Sequence, residues 1–123
     1  MKLIRDADKL DILRVMLMFF NAYKANPQEY QYEMEFADIP GYSADVIKSI
    51  LRGDPIDYRS LRTFNDLKLL LLGWVYDINF PATFRLIKER RLLEQIIDFM
   101  PASAEIDEVK KRVFDYVDSR IKS

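Results

Sequence analysis

Arg5-Asp6-Ala7-Asp8-Lys9-Leu10-Asp11, followed by Ile12-Leu13-Arg14-Val15-Met16-Leu17-Met18-Phe19-Phe20, is the stretch on which the reading of the fold turns. Three carboxylates occupy two turns, and an almost unbroken apolar run follows. The run lacks the strict alternation of a half-buried strand, so it reads as helix. A helix apolar on all sides belongs inside a core. The expected element runs from about Leu3 to about Lys24 and stops at Asn26-Pro27, because the residue before proline avoids the α region. Asp8 and Asp11, three apart, share a face; Asp6 and Asp8 point in different directions. Acids here have two physical uses. They meet the positive end of the helix macrodipole, for about 0.3–1 kcal/mol each. Alternatively, a carboxylate on a rigid helix end suits Mg²⁺, Mn²⁺ or Fe, although one or two oxygens alone hold a metal weakly.

Outward from this helix, the composition sets limits. The 123 residues suit one domain, residues 1–123, and half of them are apolar, ample for a core. The net charge of −1 speaks against a general nucleic-acid binder. There is no cysteine, hence no disulfide or thiolate chemistry, in keeping with an expected cytoplasmic location. No signal peptide is read at the start, and the densest apolar run, Leu69 to Tyr76, is too short to span a bilayer. Three glycines, five prolines and little strand-like alternation predict an all-α chain of about five helices, with the first and third buried.

Further along, Gln28 to Pro40 alternates aromatic and polar residues and is expected to be an extended connector, with room for one helical turn. Ser43 is the expected N-cap of a helix over Ala44 to Arg52, and Gly53 its C-terminal stop. Arg52-Gly53-Asp54 spells an adhesion tripeptide, but the glycine has a plain role as helix stop. Arg59 and Arg62 lie in a polar connector. Thr63 caps the next helix, expected to reach Ile78, with Asp66 in its first turn. Gly73 within it would permit close approach of another helix, the first being the natural candidate. Asp77, at the wrong end of that helix for a carboxylate, requires an arginine or backbone donor as partner. Pro81 opens a helix expected to continue unbroken to about Met100. Its Arg85, Lys88, Arg90 and Arg91 read as a solvated face, with phosphate contact as the alternative. Ser103 caps a last amphipathic helix over Ala104 to Ile121.

Ile4-Arg5-Asp6-Ala7-Asp8-Lys9-Leu10-Asp11 resembles the final motif of the HD-domain metal-dependent phosphohydrolases. Trp74-Val75-Tyr76-Asp77-Ile78-Asn79-Phe80 and the following Arg85-Leu86-Ile87-Lys88-Glu89-Arg90 resemble the later part of one bacterial branch. The resemblance covers nearly all of this chain but only the back half of the family's domain. It implies an incomplete HD-like helical bundle in which Asp8 matches the last metal ligand. The family's other ligands are a first histidine and a His-Asp pair, and this chain has no histidine. The resemblance therefore implies the C-terminal portion of a larger domain, by truncation, proteolysis or a mis-assigned start, with a degenerate descendant as the alternative.

By the same resemblance, the intact protein would hydrolyse a phosphomonoester, nucleotide or cyclic nucleotide, using a divalent metal (Mg, Mn or Fe) to activate water. This chain alone would bind no metal and show little turnover. The other reading is a non-catalytic helical interaction or regulatory module. If earlier helices of the family's domain are missing, apolar surface around Leu10, Leu13 and Leu17 should lie bare and seek a second copy or the missing N-terminal segment.

Overall fold

The computed structural model of the chain describes residues 5–30 and 36–122. Among these the architecture is all-α. Helices α1 (Asp6–Ala25), α2 (Pro27–Tyr30), α3 (Ala44–Arg52), α4 (Phe64–Gly73), α5 (Pro81–Glu89), α6 (Leu92–Ile97) and α7 (Ala104–Lys122) follow one another, with short 3₁₀ turns at Tyr58–Ser60 and Trp74–Asp77. The only extended pairing among the described residues is an isolated bridge between Ala37 and Thr63.

One core joins the elements. α1 packs on α5 and α6, α3 on α4 and α7, and α5 on α7. Leu13, Leu17 and Phe20 of α1 meet Ile47 and Ile50 of α3, Leu69 and Leu72 of α4, Phe84 and Ile87 of α5, and Val109 and Val113 of α7 in one buried cluster. Each such side chain contributes about 1.5–3 kcal/mol relative to exposure.

Several boundaries follow from the capping chemistry. Gly53 sits in the left-handed region at φ 77° and stops α3. Thr63 and Asp66 form a reciprocal capping box at the start of α4. Ser103 Oγ accepts from Ile106 N–H at 3.1 Å and caps α7.

Five expectations need correcting. First, α1 is not buried all round: Leu13, Leu17 and Phe20 are inside, whereas Val15 is 48% and Met18 60% exposed. The bundle supplies neighbours for only one flank of the helix. The bare apolar surface accordingly lies around Ile12, Val15 and Met16, not around Leu13 and Leu17. Second, Ser43 occupies the N-cap position of α3 but does not cap it with its side chain. Its hydroxyl goes to Asp66 instead, at 2.6 Å. Third, α4 ends at Gly73 and tightens into a 3₁₀ turn. A Cβ at Gly73 would meet Ile56 at 3.2 Å and Ile50 at 3.8 Å, so the close neighbours are α3 and the segment after it, not α1.

Fourth, the expected long helix from Pro81 is two helices, broken at Arg90-Arg91, with Arg91 left-handed at φ 53°. The buried flank of α5 is Phe84 and Ile87. Continued at helical spacing, that flank would carry Arg91 and Glu94 into the core. The break brings in Leu92, Leu93 and Ile96 instead. That gain outweighs about 1–2 kcal/mol for one left-handed non-glycine residue. Fifth, the Asp77 side chain is exposed and makes no ion pair or hydrogen bond among the described residues. The helix end is compensated by Lys9, whose ammonium donates to the Asp77 carbonyl at 2.8 Å.

The connector after α1 contains the one-turn helix α2. Tyr30 packs edge-on against Phe19 and Phe36 against Tyr58. Residues 31–35 of the alternating stretch lie outside the described residues.

Candidate functional site

The acidic opening of α1 divides by helical face. Asp6, Lys9, Leu13, Leu17 and Phe20 follow one another at steps of three or four and are the buried residues of the helix. Asp6 is 8% exposed and reaches across to the start of α5. Its carboxylate accepts from the Asn79 N–H (3.1 Å), the Asn79 side-chain amide (3.1 Å), the Phe80 N–H (3.0 Å) and the Thr83 hydroxyl (2.8 Å). It thus satisfies orphan donors at a helix N-terminus and sits where the dipole favours negative charge. Burial alone would push its pKa up. The Thr83 hydroxyl, then the Asn79 and Phe80 backbone, outweigh this and hold the carboxyl below its ordinary value. Lys9 completes a two-point staple by capping the Trp74–Asp77 turn.

Asp8 and Asp11 point outward. The side chain of Asp8 is 56% exposed, and its ion-pair partner among the described residues is Arg5 at 3.8 Å. Asp11 pairs with Arg14 at 2.8 Å, also in solvent. At helical spacing Asp8 leads directly into Ile12, Val15, Met16 and Phe19. These four form one bank of a groove of ≈ 490 Å³. Leu67, Leu70 and Leu71 of α4, with Trp74 of the 3₁₀ turn after it, make the facing bank. Asp8 therefore stands on the same flank of α1 as the groove, one turn before it.

The donor set does not fit a complete metal centre. The chain has no histidine, and among the described residues no three carboxylates gather where a cation could sit. Asp77 and Asp8 are both exposed but are not joined by any described contact. Arg85, Arg90 and Arg91 are exposed, and Lys88 pairs with Asp118 at 2.8 Å. Arg59 is held by Asp57 at 3.1 Å.

Two further polar centres stand beside it: Asp66, expected from the sequence as the first-turn acid after Thr63 but not as a tie to Ser43, and Lys68, which the sequence did not single out. Asp66, fully buried, accepts from the Ser43 N–H (2.7 Å) and hydroxyl (2.6 Å), the Arg62 N–H (2.9 Å) and the Thr63 N–H (3.2 Å). Burial pushes its carboxyl up, and the Ser43, Arg62 and Thr63 donors bring it below the usual value. Lys68 is buried beside a hollow lined by Asp38, Asp98 and Phe99. Its ammonium donates to Phe99 O (2.9 Å) and Asn65 Oδ1 (3.3 Å) and lies 4.3 Å from the Phe64 ring centre. Burial pushes its pKa down, opposed by Asp38. All three centres tie one element to another. The spacing Asp6-x-x-Lys9-x-x-x-Leu13 was the signal in the sequence for the first of them.

No family model, curated protein or solved structure matches the chain. The site must be read from its own chemistry.

Proposed function

We propose that this chain is the C-terminal part of an HD-type metal-dependent phosphohydrolase, with little or no turnover alone. Asp8 would contribute one carboxylate oxygen donor to a divalent cation whose nitrogen donors lie outside the chain. The observation that supports this most is the division of labour within the motif. Asp6 and Lys9 are fully accounted for by the staple to α5 and the Trp74–Asp77 turn. Asp8 is not: its carboxylate stands exposed on the helix, and its one ion-pair partner among the described residues is a loose one, Arg5. The substrate class that comes with the reading is a phosphorylated small molecule: a phosphomonoester, nucleotide or cyclic nucleotide.

The test begins with the DNA in frame upstream of the Met1 codon. An encoded His-Asp pair is expected; a promoter and start at that codon would overturn the proposal. The extended protein is then assayed for Mn²⁺-dependent hydrolysis of p-nitrophenyl phosphate. Asp8→Ala should lower the rate by roughly 100-fold or more, judged against the 10–100-fold typical of residues that only support a metal ligand. Asp11→Ala should leave it unchanged.

One observation favours a second reading, a helical interaction module. The α1–α4 groove is apolar along its length, and nothing among the described residues covers it.

A further inference from the structure

The α1–α4 groove has two unlike ends. Lys9, near the start of α1, reaches the Asp77 carbonyl after α4, and Phe20, near the end of α1, meets the Phe64 ring at the start of α4. The two helices therefore run antiparallel. Ile12 and Trp74 share one end of the groove, and Phe19 and Phe64 share the other. Asp8 stands one turn beyond Ile12. Asp77 stands three residues beyond Trp74 and lines a smaller hollow that shares Leu70 and Trp74 with the groove. Both carboxylates are exposed, and they flank the same end. Around them, Asp6 and Lys9 are buried and of opposite sign, and Asp11 pairs with Arg14. Arg5 offsets Asp8 only loosely, at 3.8 Å, and Asp77 has no ion pair among the described residues. That end keeps an acidic surplus, while no charged residue lines the groove itself.

We propose that the groove receives an amphipathic helix of another protein, with its apolar stripe on the two banks and a lysine or arginine at one end, set between Asp8 and Asp77. The banks suit a helix. Ile12, Met16 and Phe19 recur at steps of four and three along α1, a row of about two turns. Such a row accepts apolar side chains spaced alike on a partner helix. An extended peptide would find no sheet to join among the described residues, where the only extended pairing is the Ala37–Thr63 bridge. The acids decide which amphipathic helix enters: a basic end is drawn in and an acidic one held off. The inference rests on the interaction reading. It gives Asp8 a cationic side chain as partner instead of a metal ion, and it adds Asp77, which the phosphohydrolase reading leaves unused.

Trp74 is the chain's only tryptophan and lies in the groove wall, so its fluorescence reports what enters. The probe is a synthetic alanine-based helix of about 15 residues without aromatic side chains. Leucines three and four apart line one face, and two lysines occupy the turn beyond the last leucine. A twin carries glutamate in place of lysine. At low salt the lysine helix should shift Trp74 emission to the blue and saturate, with Kd on the order of 100 µM. The twin should bind roughly fivefold more weakly or worse. Asp8→Asn and Asp77→Asn should each weaken the lysine helix about two- to fivefold and leave the twin no weaker. Val15→Glu, an exposed position in the wall, should abolish binding of both, and Lys111→Glu, exposed on α7, should change nothing.

Two helices that bind alike, or a lysine helix indifferent to both asparagines, overturn the proposal. So does a Trp74 shift that appears when the chain alone is concentrated, since a second copy then covers the groove as a dimer. An apolar dye separates these failures from failure of the interaction reading. Dye bound by the parent, lost in Val15→Glu and displaced by neither helix means an open groove with another kind of occupant. No dye bound means a closed groove, and the interaction reading falls too.

Discussion

Asp6 and Lys9 on one side of α1, and Asp8 and Asp11 on the other, are interleaved within six residues and live in different media. The inner pair is buried and ties α1 to the start of α5 and to the turn after α4, each across roughly seventy residues of chain. The outer pair holds neighbours three residues away in open solvent. Asp6 and Asp8 are the same group on two faces of one helix, so the difference in their worth comes from desolvation. A buried carboxylate leaves its donors stranded when it is removed. An exposed one leaves them to water, and surface ion pairs are typically worth about 0–1 kcal/mol. The comparison teaches that a motif can be half scaffold, and that its scaffold half explains its own presence.

The largest break comes from removing buried acids, Asp6 of the inner pair and Asp66 at the start of α4. Asp66→Ala strands three backbone N–H groups and the Ser43 hydroxyl in the interior and should cost about 3–4 kcal/mol. Asp6→Ala strands two backbone N–H groups, an amide and a hydroxyl closer to the surface and should cost about 2–3 kcal/mol. Urea unfolding followed by circular dichroism measures both. Against a total stability of about 5–15 kcal/mol these are severe losses. If Asp6→Ala costs no more than Asp8→Ala, the staple contributes nothing and the division of the motif is lost.

Acid sharpens the same contrast with a smaller, continuous effect. Both Asp6 and Asp66 have folded-state pKa values below their ordinary value. For a lowered carboxyl, the unfolded state takes up protons first as pH falls. The stabilisation is therefore fully present above the ordinary carboxylate range. It begins to fade at about pH 5 and is gone once pH has passed below the folded value. Stability should fall steadily from about pH 5 downward. In Asp6→Asn the slope should be shallower, since one of the carboxyls responsible for it has been removed, while Asp66 and the Arg59-paired Asp57 remain. An unchanged slope would mean that Asp6 titrates alike in both states.

What the residues disclosed beforehand follows a physical divide. The all-α class, the Gly53 stop, the Thr63–Asp66 capping box and the Ser103 cap all depend on neighbours in sequence, and local rules reach them. The break at Arg90-Arg91 was hidden because no glycine or proline marks it; the core's demand for Leu92, Leu93 and Ile96 forces it from outside the segment. The open flank of α1 was hidden for a related reason. An all-round apolar helix reports that it wants cover, but not from which side the bundle supplies it. The candidate site was legible as a cluster of acids. Its inner half became interpretable only when Asn79, Phe80 and Thr83 were brought to Asp6.

The smallest expected effect is also the one that isolates function. Asp8→Ala, which gives up a first-turn carboxylate worth about 0.3–1 kcal/mol to the helix dipole, and Asp11→Ala should each change stability by no more than about 1 kcal/mol. Asp8 loses a contact of 3.8 Å to a largely exposed Arg5, and Asp11 a solvent-exposed pair with Arg14. Alanine's higher helix propensity offsets part of either loss. The two variants are then equal in folding and differ only in what Asp8 does beyond it. If Asp8→Ala unfolds as readily as Asp6→Ala, Asp8 is scaffold as well, and its exposure is no longer grounds for giving it a chemical role. If the two outer variants match in stability while only Asp8→Ala abolishes metal-dependent turnover in the extended protein, the outer half of the motif has been separated from the inner half by function alone.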